Sequence, residues 1–454
     1  MIVNMLCAVR PFGSAVNGTT DPLCHTSPMK GLFRSAGLLL SAALLTGCGD
    51  REWPGSIEAL LESRPERFGV VTEDPARYRV QVIYTQIDRD EANRPSFRTF
   101  RYRVDPDEYF YPASTVKLPT AILALEKLND LGLHRDLTML TGAAADFQTS
   151  AMRDDTAPGG LPSVGHYIRK IFLVSDNDAY NRLYEFIGQQ DLNESLQSRG
   201  FTGTRIIHRL ELMLDPLQDQ QTNPVRFVDG DVTLYAQDAI HSPRSFIGVQ
   251  PELLGTGEIV DGDYLDRPKD FAVKNELPLE ELHDMLLRLL FPEAIDDELR
   301  FHLRDDDYRF LYRAMASYPR EGGIDAYEDA AQYPDGYVKF LLFGGKARSI
   351  PDNIRIFNKV GDAYGFLTDA AYVVDVENGV EFLLAATVYT NANGVFNDGN
   401  YEYDEIGMPF LENLGQAIYE IELARERPHE PDLSRFQFDR ADRGPASLLA
   451  APEQ

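Results

Sequence analysis

Short blocks of apolar residues, bounded by turn formers, lie near both ends of the chain, and helical spacing dominates between them. Ile57 to Ser63 predicts a first helix, Tyr78 to Ile87 and Ser96 to Val104 two strands, and Ser114 to Leu128 a long apolar helix. Helical periodicity holds again from Val164 to Ile187, where Gly188 supplies a stop. Ile354 to Lys359, Thr368 to Val376 and Val380 to Thr390 predict three further strands. The last two are joined by Glu377-Asn378-Gly379, and an Asn-Gly pair favours a hairpin. A closing helix is expected from about Glu405 to Arg425. Strands at both ends with helices between them indicate an α+β domain over residues 57–425, its sheet assembled from distant segments.

The start of the chain carries a different pattern. Met29, Lys30 and Arg34 form a short basic segment, Ala36 to Leu45 an apolar one, and Leu45-Thr46-Gly47-Cys48 ends it with small residues before a cysteine. That is the layout of an export signal, and it resembles a bacterial lipoprotein lipobox. Residues 1–28 are then expected to be an over-called start, 29–47 a signal peptide, Cys48 the acylated first residue of the mature chain, and 48–56 a linker. The expected location is the cell envelope, anchored by lipid and facing the periplasm. The tail 427–454, rich in Pro, Arg and Asp, is expected to be disordered.

Composition narrows the function. Lys plus Arg is 44 against 72 for Asp plus Glu, a net charge of -28, which repels phosphate backbones and disfavours nucleic-acid binding. Of the three cysteines, Cys7 and Cys24 precede the lipobox, so no intrachain disulfide is expected in the mature chain. The eight histidines show no ligand-like spacing, so neither a metal nor another cofactor is expected, and the protein is read as a monomer.

Candidate chemistry begins at Ser114-Thr115-Val116-Lys117. Positions three apart share a helix face, so a desolvated, neutral Lys117 can serve as the base for a Ser114 nucleophile. A helix N-terminus adds backbone NH groups for an oxyanion. Alone the pattern is cheap, since Ser27 to Lys30 repeats it. Ser175-Asp176-Asn177, at a break between two helical segments, and Lys359-Val360-Gly361, ending a predicted strand, add to it.

In this order the three elements resemble the signature of class A β-lactamases and penicillin-binding proteins. Val174 to Asn181 followed by Gly188 is similar to the family's corresponding helix. Thr204-Arg205 to Arg209-Leu210-Glu211 resembles the entry to its Ω-loop, and Glu211 stands 36 residues after Ser175, as the family's catalytic glutamate does. Leu279 to Leu290 and Asp296 to Ala316 resemble the helices that follow. The resemblance implies an antiparallel sheet of about five strands flanked by helices, with a mainly helical subdomain. It leaves two insertions, near 225–276 and 318–351, as a lid, a partner surface or plain surface elaboration.

By the same resemblance Ser114 is the nucleophile and Lys117 its base, Ser175 passes a proton to the leaving group, and Asn177 binds the substrate amide. Glu211 activates the deacylating water, Lys359 attracts a substrate carboxylate, and the backbone NH groups of Ser114 and of Asp362, just beyond Gly361, form the oxyanion hole. Two positions depart from the pattern. Val360 stands where a hydroxyl residue donates to the substrate carboxylate, and Asp215 stands where an Asn holds the water. The reading is a serine hydrolase forming an acyl-enzyme through Ser114 on a small-molecule or peptidoglycan-derived acyl substrate, with β-lactams leading. The alternatives are a D-Ala-D-Ala peptidase or other ester or amide hydrolase on the same scaffold, and a catalytically silent envelope lipoprotein.

Overall fold

Five strands from the two ends of the chain form one antiparallel sheet: β1 (Gln81–Arg89), β2 (Pro95–Tyr102), β3 (Ile354–Ala363), β4 (Phe366–Asp375) and β5 (Val380–Tyr389). They lie in the order β3-β4-β5-β1-β2, so the terminal segments meet where β5 pairs with β1, Gln81 opposite Thr387. The computed structural model describes residues 52–346 and 349–438. Among the described residues, ten α-helices accompany the sheet: α1 (Ile57–Glu62), α2 (Pro65–Thr72), α3 (Lys117–Asp130), α4 (Val164–Val174), α5 (Asn177–Ile187), α6 (Gln189–Ser198), α7 (Pro216–Asp219), α8 (Leu279–Leu290), α9 (Asp305–Ala316) and α10 (Met408–Ala424). The α+β class and the antiparallel sheet of five strands are as expected.

Both faces of the sheet are covered. Ile83, Phe357, Tyr372 and Leu383 pack with α3, α5, α8 and α9, while Val82, Ile356, Val373 and Leu384 pack with α1, α2 and α10. Every residue of β4 is therefore buried, and the alternation that marks a one-sided strand is lost. In α3 the run from Lys117 to Glu126 is buried without interruption, which makes it the central helix of the larger core.

Several boundaries differ from expectation for local reasons. Ser114 belongs to a 3-10 turn, Ala113–Val116, and α3 starts at Lys117. The periodic run from Val164 to Ile187 is divided at Ser175, the expected break, whose left-handed backbone (φ 58) caps α4. Strand β3 continues through Lys359 to Ala363, and α9 starts at Asp305 instead of Asp296. A π turn, Tyr403–Gly407, precedes α10.

The first insertion is largely β structure. Val225–Asp229 pairs with Val232–Gln237 and with Thr138–Thr141, and Gly257–Val260 pairs with Val395–Phe396. The second insertion enters the core and is not surface elaboration. Val338 and Phe340 to Phe343 pack on the sheet, and the fully buried Lys339 donates from Nζ to Met315 O at 2.7 Å and Ile356 O at 2.9 Å. The tail also needs correction. Residues 427–438 are ordered, and Phe436 is fully buried with its ring 4.8 Å from Tyr372 and 5.3 Å from Phe357. Aromatic burial at Phe436 outweighs the polar composition around it. Trp53, in the expected linker, packs on Tyr84 and Phe100. The expected signal peptide, the lipidation site Cys48 and residues 439–454 lie outside the described residues.

Candidate active site

Three segments converge on Ser114. The 3-10 turn at Ala113–Val116 presents it, and the preceding Ala113 adopts a left-handed φ of 45°, a costly conformation for a residue with a Cβ. Against this turn lies β3. A Cβ added to Gly361 would stand 2.4 Å from Pro112 O and 3.1 Å from Ser114 N, so only glycine allows the strand so close to the nucleophile. The third segment is the α4–α5 break, where Asp176 caps α5 by accepting from Ala179 N at 2.7 Å and pairs with Lys170 at 3.3 Å.

Lys117 Nζ lies at the centre of the group. It reaches Ser114 Oγ at 2.8 Å and Ser175 Oγ at 3.2 Å, and also the Ser175 carbonyl and Asn177 Oδ1. Lys359 Nζ approaches Ser175 Oγ from the other side at 2.9 Å and donates to Val360 O at 2.9 Å. Two amines directed at one hydroxyl oxygen leave the Ser175 proton free to point into the cleft. Burial, and then the neighbouring charge of Lys359, hold Lys117 well below the ordinary lysine value. Burial brings Lys359 down to about 7. Both shifts favour the neutral amine that a base requires.

Glu211 is placed differently. It is exposed, has a left-handed φ of 59°, and makes no hydrogen bond among the described residues, although its charge acts on Lys117. Its position is set by the residues before it. Asn181 of α5 clamps the backbone of Leu210, donating to its carbonyl at 3.0 Å and accepting from its NH at 2.8 Å. Arg209 is 1% exposed. It bonds Glu185 and Asp219 and donates to the carbonyls of Gln218 and Gln221, closing the 209–221 loop on itself. Asp215 caps α7 through Leu217 N and Gln218 N, both at 2.9 Å, so its carboxylate is engaged within that loop. Sequence reasoning missed Asn181 and Arg209 as positioning residues. The available signal was a polar side chain one helical turn after Asn177, on an apolar helix.

Val360 lies on the opposite face of β3 from Lys359. It is 2% exposed, packs in the smaller core, and stands opposite Asp369 of β4. Asp362, two residues on, is exposed, and its carboxylate has no hydrogen bond or ion pair among the described residues. The surrounding protein raises this carboxyl to about 6. The solvent that reaches it argues for a smaller rise, so it is ionised at and above neutral pH.

Residues 60–255 match the model of the beta-lactamase enzyme family, a stretch that takes in Ser114, Lys117, Ser175, Asn177 and Glu211. Lys359 lies beyond the match and is brought to Ser175 by the fold. Over that stretch the chain is similar to the beta-lactamase enzyme family. Similar solved structures include a β-lactamase from Xanthomonas campestris (16% identity, 81% of this chain and 98% of that one, TM-score 0.46). PBP-A (16%, 79% and 94%, 0.44) and a β-lactamase from Sphaerobacter thermophilus (15%, 79% and 97%, 0.43) are similar to a like degree. No curated protein matches the chain.

Proposed function

We propose that the protein is a serine hydrolase that forms an acyl-enzyme through Ser114. The observation that carries this reading is the 2.8 Å contact between Lys117 Nζ and Ser114 Oγ at a buried lysine. As Ser114 Oγ bonds to the acyl carbon, its proton passes to neutral Lys117. The backbone NH groups of Ser114 and Asp362 receive the oxyanion; that of Ser114 lies in the helical turn leading into α3, where NH groups lack intrahelical partners, and that of Asp362 lies on β3. Collapse breaks the bond to the leaving nitrogen or oxygen, which takes the Ser175 proton, and Lys117 reprotonates Ser175. Glu211 then draws a proton from a water that attacks the ester; as the bond from Ser114 Oγ to the acyl carbon breaks, that proton passes to Oγ, which releases the acid and restores Ser114 and the Glu211 carboxylate. Asn177, whose Oδ1 is held by Lys117, offers its Nδ2 to the substrate.

The substrate is a small-molecule or peptidoglycan-derived amide or ester, with β-lactam hydrolysis as one activity to be measured. A binding role without catalysis does not account for two lysines buried on one serine, since burying amines without function is costly. Intact mass after incubation with a fluorophosphonate and with a penicillin tests the reading. A fluorophosphonate adduct absent from Ser114→Ala supports it, and no adduct on the folded wild type refutes it. A mass increase with penicillin that decays with time would identify turnover of that substrate.

The proposed location is the periplasmic face of a bacterial envelope, through acylation of Cys48. Cys48→Ser is expected to release or misprocess the protein, and unmodified full-length protein in the cytoplasm would exclude the anchor.

A further inference from the structure

A cavity of about 50 Å³ lies beside the loop that carries Glu211, and no step of the proposed reaction uses it. A buried water needs about 10–15 Å³ of such space, so the cavity has room for about three to five waters, or for one solute of about six non-hydrogen atoms. Leu212, the residue after Glu211, and Val273, in the first insertion, stand in its wall and are exposed, so it opens to solvent.

The polar groups of the wall are left without partners in a definite arrangement. Gln189, 2% exposed, donates from Nε2 to Ile207 O at 2.8 Å, which fixes its amide and leaves Oε1 buried with no donor among the described residues. Asp219 is also buried. Its Oδ1 accepts from the backbone NH and the guanidinium of Arg209, at 3.0 and 3.3 Å, while its Oδ2 receives no hydrogen bond among the described residues. Opposite in charge is Lys274, whose ammonium has no hydrogen bond or ion pair among the described residues. That charge acts on both Asp219 and His208, two further residues of the wall, which sets the ammonium beside the cavity. Burial, then the charge of Lys269, brings Lys274 below the ordinary lysine value, as expected of a cation without a counter-ion.

One cation, two bare acceptors and the apolar surface of Leu212 and Phe246 thus face a space of about six atoms. A carboxylate answers the first, an ammonium the second and a short alkyl group the third, and hydrogen bonds between ionised groups are the strong ones. We infer that this cavity is a binding site for a small free α-amino acid of about alanine's size, with its carboxylate on Lys274 and its ammonium on Gln189 Oε1 and Asp219. The inference goes beyond the acyl-enzyme reading and does not depend on it, because the site shares no residue with the group around Ser114.

Calorimetric titration of the full chain near neutral pH with alanine, lactate and propionate tests it. Lactate replaces the ammonium by a hydroxyl, and propionate removes it. Either enantiomer of alanine should bind one to one, and about tenfold or more tighter than lactate or propionate, since hydrogen bonds to a charged group are lost in those two. Lys274→Met should weaken alanine by a similar factor, while Ser114→Ala should bind it as wild type does. If Lys274→Met fails to fold, hydrogen exchange on wild type serves instead, and alanine should slow the backbone amides of the 209–221 loop. The inference is overturned by no saturation with alanine up to about 20 mM, by propionate binding as tightly, or by Lys274→Met or loop exchange showing no change. Loss of alanine binding in Ser114→Ala would place the ligand at the active site and overturn it as well.

Discussion

Gly361→Ala tests how the strand and the nucleophile are held together. The new Cβ would lie 2.4 Å from Pro112 O, where contacts under 3.0 Å are essentially never seen, so strand and turn must separate by at least 0.6 Å. The atom in the way is backbone, and no rotamer change relieves it. A second contact, 3.1 Å to Ser114 N, pushes in the direction that moves the nucleophile itself. Overpacking of this kind costs about 1–3 kcal/mol of stability. A displacement approaching 1 Å at the reacting group costs about 100-fold in rate. The 2.8 Å contact from Lys117 to Ser114 and the 2.9 Å contact from Lys359 to Ser175 depend on opposite sides of this seam. The variant should thus fold, lose a few degrees in Tm, and label with fluorophosphonate about two orders of magnitude more slowly. Stopped-flow labelling beside thermal unfolding measures both. Labelling at the wild-type rate with unchanged Tm would show that β3 does not abut the turn as described.

Glu211→Gln should acylate at Ser114 and stall, so that a stable adduct accumulates by intact mass; wild-type turnover would place the water-activating group elsewhere. Acylation should increase as pH rises through the lowered Lys117 pKa, because only the neutral amine accepts the Ser114 proton. In Lys359→Met a charge that holds Lys117 down is gone, so this rising limb should move upward in pH, and a limb that stays fixed or moves down would refute the coupling. Phe436→Ala should destabilise the protein by about 3–5 kcal/mol in denaturant titration, since the ring is fully buried among Phe291, Tyr312, Phe357 and Tyr372. A loss below about 0.5 kcal/mol would return the segment around it to a surface tail.

The sequence by itself determined the elements whose signals are local. Helical spacing and β-rich blocks located α1, the α4–α5 region and all five strands to within a few residues, because period and turn chemistry act over neighbouring positions. Ser114, Lys117, Ser175, Asn177 and Lys359 were legible from motif order, and Gly361 from its place beside Lys359. What only the tertiary structure decided depends on partners far away in the chain. The break at Ser175 was legible in the sequence, but only the fold brings the lysines of α3 and β3 to that turn. Lys339 is buried in an insertion because carbonyls of α9 and β3 receive it. Phe436 is core, despite its polar neighbours, because Phe291 and Tyr372 leave it an aromatic slot. Val360 alternates with Lys359 along β3, and only the covered sheet decides that Val360 is the one buried in the smaller core. Side-chain direction along a strand alternates, but which direction meets the core is fixed only when both faces of the sheet are covered.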